Sequence, residues 1–136
     1  VSWLNTRRPP LGGYPSHVRR VPAPDNLLPL GGSLETQPVA FAANVAQAIE
    51  ELVAAGHGFA GIMLCPIFAN EGVPGITPGF LAPTVEVVRR AGGLILCDEV
   101  QPGFGRVGSH WWGHDWLGLP PRGTTGSARP RRCCAR

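Results

Sequence analysis

With 136 residues, the chain is long enough for one modest hydrophobic core and too short for a two-domain enzyme. Its 43% hydrophobic and 15% charged residues make a globular balance that excludes wholesale disorder, although Gly (19) and Pro (15) together supply one residue in four. The net charge is +3, yet all 12 residues of the Lys+Arg count are arginine, which excludes a lysine Schiff base, a P-loop lysine and a kinase lysine from this chain.

The first 38 residues are rich in proline and glycine and read as loop, with one strand-like stretch at His17–Val21 ahead of the breaker run Pro22-Ala23-Pro24-Asp25. Residues 40–55 carry Phe41, Val45, Ala48, Ile49 and Leu52 at three- and four-residue spacing, an amphipathic helix closed by Gly56 and Gly58. The short apolar run 59–65 (FAGIMLC) has the pattern of a strand buried on both faces. A second helix is expected over 79–91, with Phe80, Val87, Val88 and Ala91 on one side, Pro83 in the first turn and Gly92-Gly93 at the end. A second apolar run, 94–100 (LILCDEV), ends in two acids. Strand, helix, strand with short connections predicts a βαβ unit, parallel strands, a right-handed crossover and an α/β class. Ligands in such sheets sit beyond the carboxyl ends of the strands, where Asp98, Glu99 and Gln101 fall on the second one.

Charge divides the chain. Residues 1–121 hold seven arginines against nine acids, a net of −2, while residues 122–136 hold Arg122, Arg129, Arg131, Arg132 and Arg136 and no acid, a net of +5. The globular part is therefore no nucleic-acid binder on charge grounds, and the tail reads as a solvated, disordered end or, more weakly, an anion-binding arm. Cys65 and Cys97 each end an apolar run, as small buried hydrophobes do, and Cys133 and Cys134 sit side by side in the tail. No CxxC or paired metal spacing occurs, so neither a disulfide framework nor a metal site is expected, and a reducing, cytoplasmic setting fits. No apolar run approaches a membrane span, and Val1–Arg8 does not read as a signal peptide.

Three motifs near the second strand invite chemistry and fail on their own terms. Gly103-Phe104-Gly105-Arg106-Val107-Gly108 matches G-x-G-x-x-G, but bulky SHWWGHDW follows where a dinucleotide site needs a closely packed helix, and no acid occurs from residue 116 onward. His110 and His114 are four apart, but Gly113 lies between them without the intervening carboxylate of helical zinc motifs, so packing or surface roles are expected. Trp111, Trp112 and Trp116 read as the anchor of an irregular segment rather than a stacking platform.

Taken whole, the stretch GGLILCDEVQPGFGRVGSHWW (92–112) resembles the cofactor-binding signature of class III aminotransferases, which are pyridoxal-phosphate enzymes of fold type I. The family pattern is an apolar strand, then D-E-V-Q-x-G-F-G-R-x-G and an aromatic; it is met by Asp98-Glu99-Val100-Gln101, Gly103-Phe104-Gly105-Arg106, Gly108 and Trp111-Trp112. The likeness extends upstream through CPIFANEGVPGITPGFL (65–81) and VPAPD (21–25), covering roughly residues 17–121.

The resemblance implies pyridoxal 5'-phosphate as cofactor, with Asp98 paired to its ring nitrogen, Val100 against one ring face and Gln101 near the ring hydroxyl. A pyridoxal ring acts as an electron sink only with its nitrogen protonated, and each pKa unit that a carboxylate adds there is worth about 1.4 kcal/mol. On a strand, Asp98 and Val100 would share one side, with Glu99 turned away behind them.

Two departures stand out. Cys65 occupies the position of a family glutamate, and no Schiff-base lysine is present, so no catalytic residue is assigned. The resemblance thus implies residues 1–121 as part of a cofactor-binding large domain; the abrupt switch to Arg, Pro, Ala, Gly and Cys at 122–136, where the lysine-bearing segment is due, reads as a disordered or an out-of-frame tail. The parent activity would transfer an amino group from an amine or amino acid to a keto acid or aldehyde in a homodimer. Elimination by a lyase of the same family, or a non-enzymatic truncated product acting by association, are the alternatives.

Overall fold

The computed structural model describes residues 11–119. The expectations for the tail at 122–136, and for Cys133 and Cys134, lie outside the described residues.

Helix α1 spans Gln37–Ala54, with Pro38 in the first turn, where its missing N–H breaks no helical hydrogen bond. Phe41, Val45, Ile49 and Leu52 are buried at the expected spacing. The helix begins three residues ahead of the expected start because Gln37 is itself buried. Its Oε1 accepts the backbone N–H groups of Asp25 (2.9 Å) and Leu30 (3.1 Å), fastening the preceding loop to the helix. At the other end Gly56 adopts φ 77°, a conformation that favours glycine. Its N–H reaches the Val53 carbonyl (2.9 Å) and that of His57 reaches Leu52 (3.0 Å), a Schellman closure.

Strand β1 is Gly61–Leu64, helix α2 is Ala82–Arg90 and strand β2 is Leu94–Cys97. The strands pair in parallel with Gly61 opposite Leu94 and Leu64 opposite Cys97, which makes the expected βαβ unit. Both strands are shorter than the apolar runs that announced them, and α2 starts at Ala82 rather than 79, with Pro83 in its first turn. Gly92 and Gly93 end α2 as Gly56 and His57 end α1, donating to Arg89 and Val88 (3.0 Å each). Ala91, expected on the core side, lies beyond the helix and is exposed. The strand expected at His17–Val21 is irregular chain.

The core lies on one side of the sheet. Helix α1 packs on α2, and α2 packs on β2. Leu64, Ile95 and Cys97 point into this layer beside Val85 and Val88, and Phe41, Phe68 and Phe80 stack with centroids 5.7–6.3 Å apart. The opposite face carries Met63, Leu94 and Leu96, which are 44%, 48% and 38% exposed. The expectation of strands buried on both faces is therefore corrected: among the described residues, helices cover one face of this two-stranded sheet.

Candidate functional site

The site forms where both strands end. Beyond β2 the chain leaves the ladder at Asp98, whose N–H donates to the Leu64 carbonyl (2.8 Å). The residues after it turn rather than extend. The Asp98 carboxylate accepts the N–H of Val100 (3.0 Å), and the Glu99 carbonyl accepts the N–H of Gly103 (3.0 Å). Asp98 and Val100 thus do not share one side of a strand as expected, because the strand stops at Cys97 and the Asp98 side chain itself closes the turn. Pro102, which has no N–H for a ladder, is buried within that turn.

The structure brings the three expected cofactor residues together on this turn. Asp98 is half-buried, Val100 is 79% exposed, and Gln101 is exposed with its amide donating to the Asn70 side chain (3.4 Å) from the segment after β1. Across the strand ends lies Cys65. Burial pushes its thiol up from the ordinary value, the Asp98 and Glu71 carboxylates push the same way, and backbone N–H groups of Ala69 and Ile67 oppose them. A neutral thiol therefore stands beside Asp98. Cys97, buried under the sheet, is raised to about 12, chiefly by burial and secondarily by Glu99 and Cys65.

Glu99 points away from this surface and is almost fully buried, 3% exposed. Its Oε2 accepts the Gly113 N–H (2.9 Å), and its Oε1 accepts the N–H (2.8 Å) and ring Nδ1 (2.9 Å) of His114. Those donors open the short helix α3, Gly113–Trp116. The placement of Glu99 behind the strand end was legible in the motif; its partnership with His114 was not, because the two lie fifteen positions apart. His110 is exposed and bonded to the Ser109 hydroxyl (2.8 Å), and no group of three or more metal-ligating side chains occurs among the described residues.

The glycine motif is a run of turns. Gly105 (φ 76°) donates to the Trp111 carbonyl (3.1 Å), and Phe104 adopts φ 60° with its ring 5.8 Å from Trp111 and 5.1 Å from Trp112. Arg106 donates to the Gly103 carbonyl (3.0 Å). No helix opens at its third glycine, which removes the dinucleotide reading.

A carboxylate, an exposed apolar side chain and an amide thus lie beyond the carboxyl ends of parallel strands, the position where ligands sit in α/β sheets. A family model described as aminotransferase class-III matches residues 5–125. Human mitochondrial alanine–glyoxylate aminotransferase 2 is 49% identical over 61 residues, covering 43% of this chain and 12% of that protein. A Drosophila melanogaster protein described as alanine–glyoxylate aminotransferase 2-like is 34% identical over 114 residues, covering 79% of this chain and 22% of that protein. Among solved structures, a phospholyase from Arthrobacter in complex with phosphoethanolamine superposes with TM-score 0.67 and 37% identity over 82% of this chain and 26% of that one.

The chain belongs to the class III aminotransferase family. It spans between about an eighth and a quarter of the length of these relatives. The family depends on pyridoxal 5'-phosphate. The residues present fit the ring of that cofactor: among the described residues the Asp98 carboxylate receives one hydrogen bond, from Val100, which leaves acceptor capacity for a protonated nitrogen. No lysine is present to bind its aldehyde.

Proposed function

We propose that this chain carries the ring-binding part of a pyridoxal-phosphate-dependent class III aminotransferase, with residues 1–121 as a partial large domain. The observation that carries the reading is the half-buried Asp98 carboxylate at the end of β2, flanked by Val100 and Gln101 on one exposed turn. When bound, the cofactor supplies an electron sink for bond breaking at the carbon bearing the substrate's amino group. Asp98 holds the proton on the ring nitrogen, as a carboxylate beside a pyridinium favours its charged form. Val100 offers an apolar surface to one ring face, and Gln101 an amide to the ring hydroxyl. Cys65 leaves the approach beside Asp98 uncharged.

The whole protein would move an amino group from an amine or amino acid to a keto acid or aldehyde, as a homodimer. The two free thiols among the described residues, Cys65 and Cys97, suit a reducing compartment such as the cytoplasm, while the human relative carries "mitochondrial" in its name. No helix among the described residues is long and apolar enough to cross a membrane. The likeness to a phosphoethanolamine-bound phospholyase favours a second reading, elimination from a phosphorylated amine. In a chain extended by the flanking coding sequence, phosphate release from phosphoethanolamine against amino transfer from alanine to glyoxylate separates the two.

The direct test is binding of pyridoxal phosphate to the 136-residue chain, followed by fluorescence. Asp98→Asn should weaken it by about tenfold or more, the worth of one charge-assisted contact; unchanged affinity overturns the reading. The chain alone should show no turnover. A stoichiometric borohydride-trapped adduct that survives blocking of the N-terminus would overturn that expectation.

A further inference from the structure

We propose that Glu99 is a positioning residue for the ring-binding carboxylate: its buried side chain clamps the Gly113–His114 segment behind the end of β2 and so fixes Asp98 and Val100 on the other side. The inference rests on the assignment of Asp98 made above.

A buried carboxylate is costly unless its oxygens are satisfied. Glu99 meets that demand with three N–H donors at 2.8–2.9 Å, all from Gly113 and His114. A carboxylate only accepts, so with Glu99 ionised the ring Nδ1 of His114 is the donor in this contact. The other ring nitrogen faces Asp115 at 3.5 Å.

The same residue holds the turn from its backbone side. The Glu99 carbonyl accepts from Gly103 (3.0 Å), so the backbone between them closes on Glu99 while its side chain reaches α3. The fit leaves no slack. A Cβ on Gly113 would meet Pro102 Cβ at 2.6 Å and Glu99 Oε2 at 3.1 Å, and one on Gly103 would meet the Glu99 carbonyl at 2.7 Å and Trp112 at 2.9 Å. Asp98 and Val100 are the immediate neighbours of this clamp and are joined to each other by the hydrogen bond from Val100 N–H to the Asp98 carboxylate. Loss of the Glu99 charge frees the aromatic segment behind the turn and lets Asp98 rotate away from one fixed direction.

Pyridoxamine 5'-phosphate serves as the probe, because it binds without needing a lysine and its ring absorbance reports protonation of the ring nitrogen. The wild-type chain is compared with Glu99→Gln, His114→Phe and Asp98→Asn. Glu99→Gln should lower the pH at which bound probe loses its ring proton by about one unit and raise its Kd about tenfold. Amide exchange at Gly113 and His114 should accelerate in parallel. His114→Phe keeps both backbone donors and should shift the ring titration by less, in the same direction.

A Glu99→Gln chain that melts earlier but titrates bound probe as wild type does would show a merely structural residue and overturn the proposal. If Glu99→Gln does not fold, His114→Phe decides, and an unshifted titration overturns it. Failure of the underlying assignment looks different: the wild type does not bind the probe, or Asp98→Asn leaves the ring titration unmoved.

Discussion

Asp98 and Glu99 are adjacent in sequence and opposite in fate. One is half-buried beyond the end of β2; the other is sealed behind it under three hydrogen bonds. The difference follows from where each faces when the chain leaves the ladder, not from residue type. The Thr84 hydroxyl is buried in α2 with no hydrogen-bond partner among the described residues. Thr84→Val, which keeps the shape and removes the unsatisfied oxygen, should stabilise the chain by about 1 kcal/mol in urea unfolding. Cys97 titrates at about 12 in the folded chain against 9.0 for an ordinary thiol. Between those values the folded state keeps a proton that the unfolded state has lost, so stability falls as pH rises through that window. Cys97→Ala should flatten the alkaline loss; urea midpoints measured from about pH 8 to about pH 11 would show the two chains converging.

The helices were the most legible elements, because each carries its own punctuation. Apolar spacing marked α1, proline marked the first turn of α2, and glycine marked the end of both. Gly118 (φ 75°) closes α3 in the same way, with Leu119 donating to His114 (2.9 Å), in a segment whose sequence gave no helical periodicity. Gly56→Ala should cost about 1 kcal/mol or more, measured as a lower thermal midpoint, since alanine is disfavoured at φ 77°. Strand ends were less legible. The apolar runs continue past the paired residues, and a run of apolar residues does not say where its partner stops. Gly61 shows why pairing is close where it exists: a Cβ there would collide with the Leu94 carbonyl. Gly61→Ala should therefore destabilise the sheet more than Gly56→Ala destabilises its helix, a ranking that paired denaturation curves would check.

At the scale of the molecule, one face of the sheet is packed and the other presents Met63, Leu94 and Leu96. Exposed contiguous apolar surface on paired strands favours association. The chain should self-associate with rising concentration in sedimentation velocity, and Leu96→Glu should raise its monomer fraction without lowering its thermal midpoint by more than about 1 kcal/mol equivalent, as Leu96 is 38% exposed. By itself the sequence determined the α/β class, the two major helices, the strand-helix-strand order and the contiguous Asp98-Glu99-Val100-Gln101 run that follows the second strand. Those features depend on local spacing and on residues that must be contiguous to do chemistry. Tertiary structure alone decided that the strands stop before Asp98, that one sheet face remains open, and that Glu99 is tied to His114. Each of these depends on which distant backbone groups meet a given residue, and hydrogen-bond partners separated by fifteen residues leave no periodicity for a sequence to display.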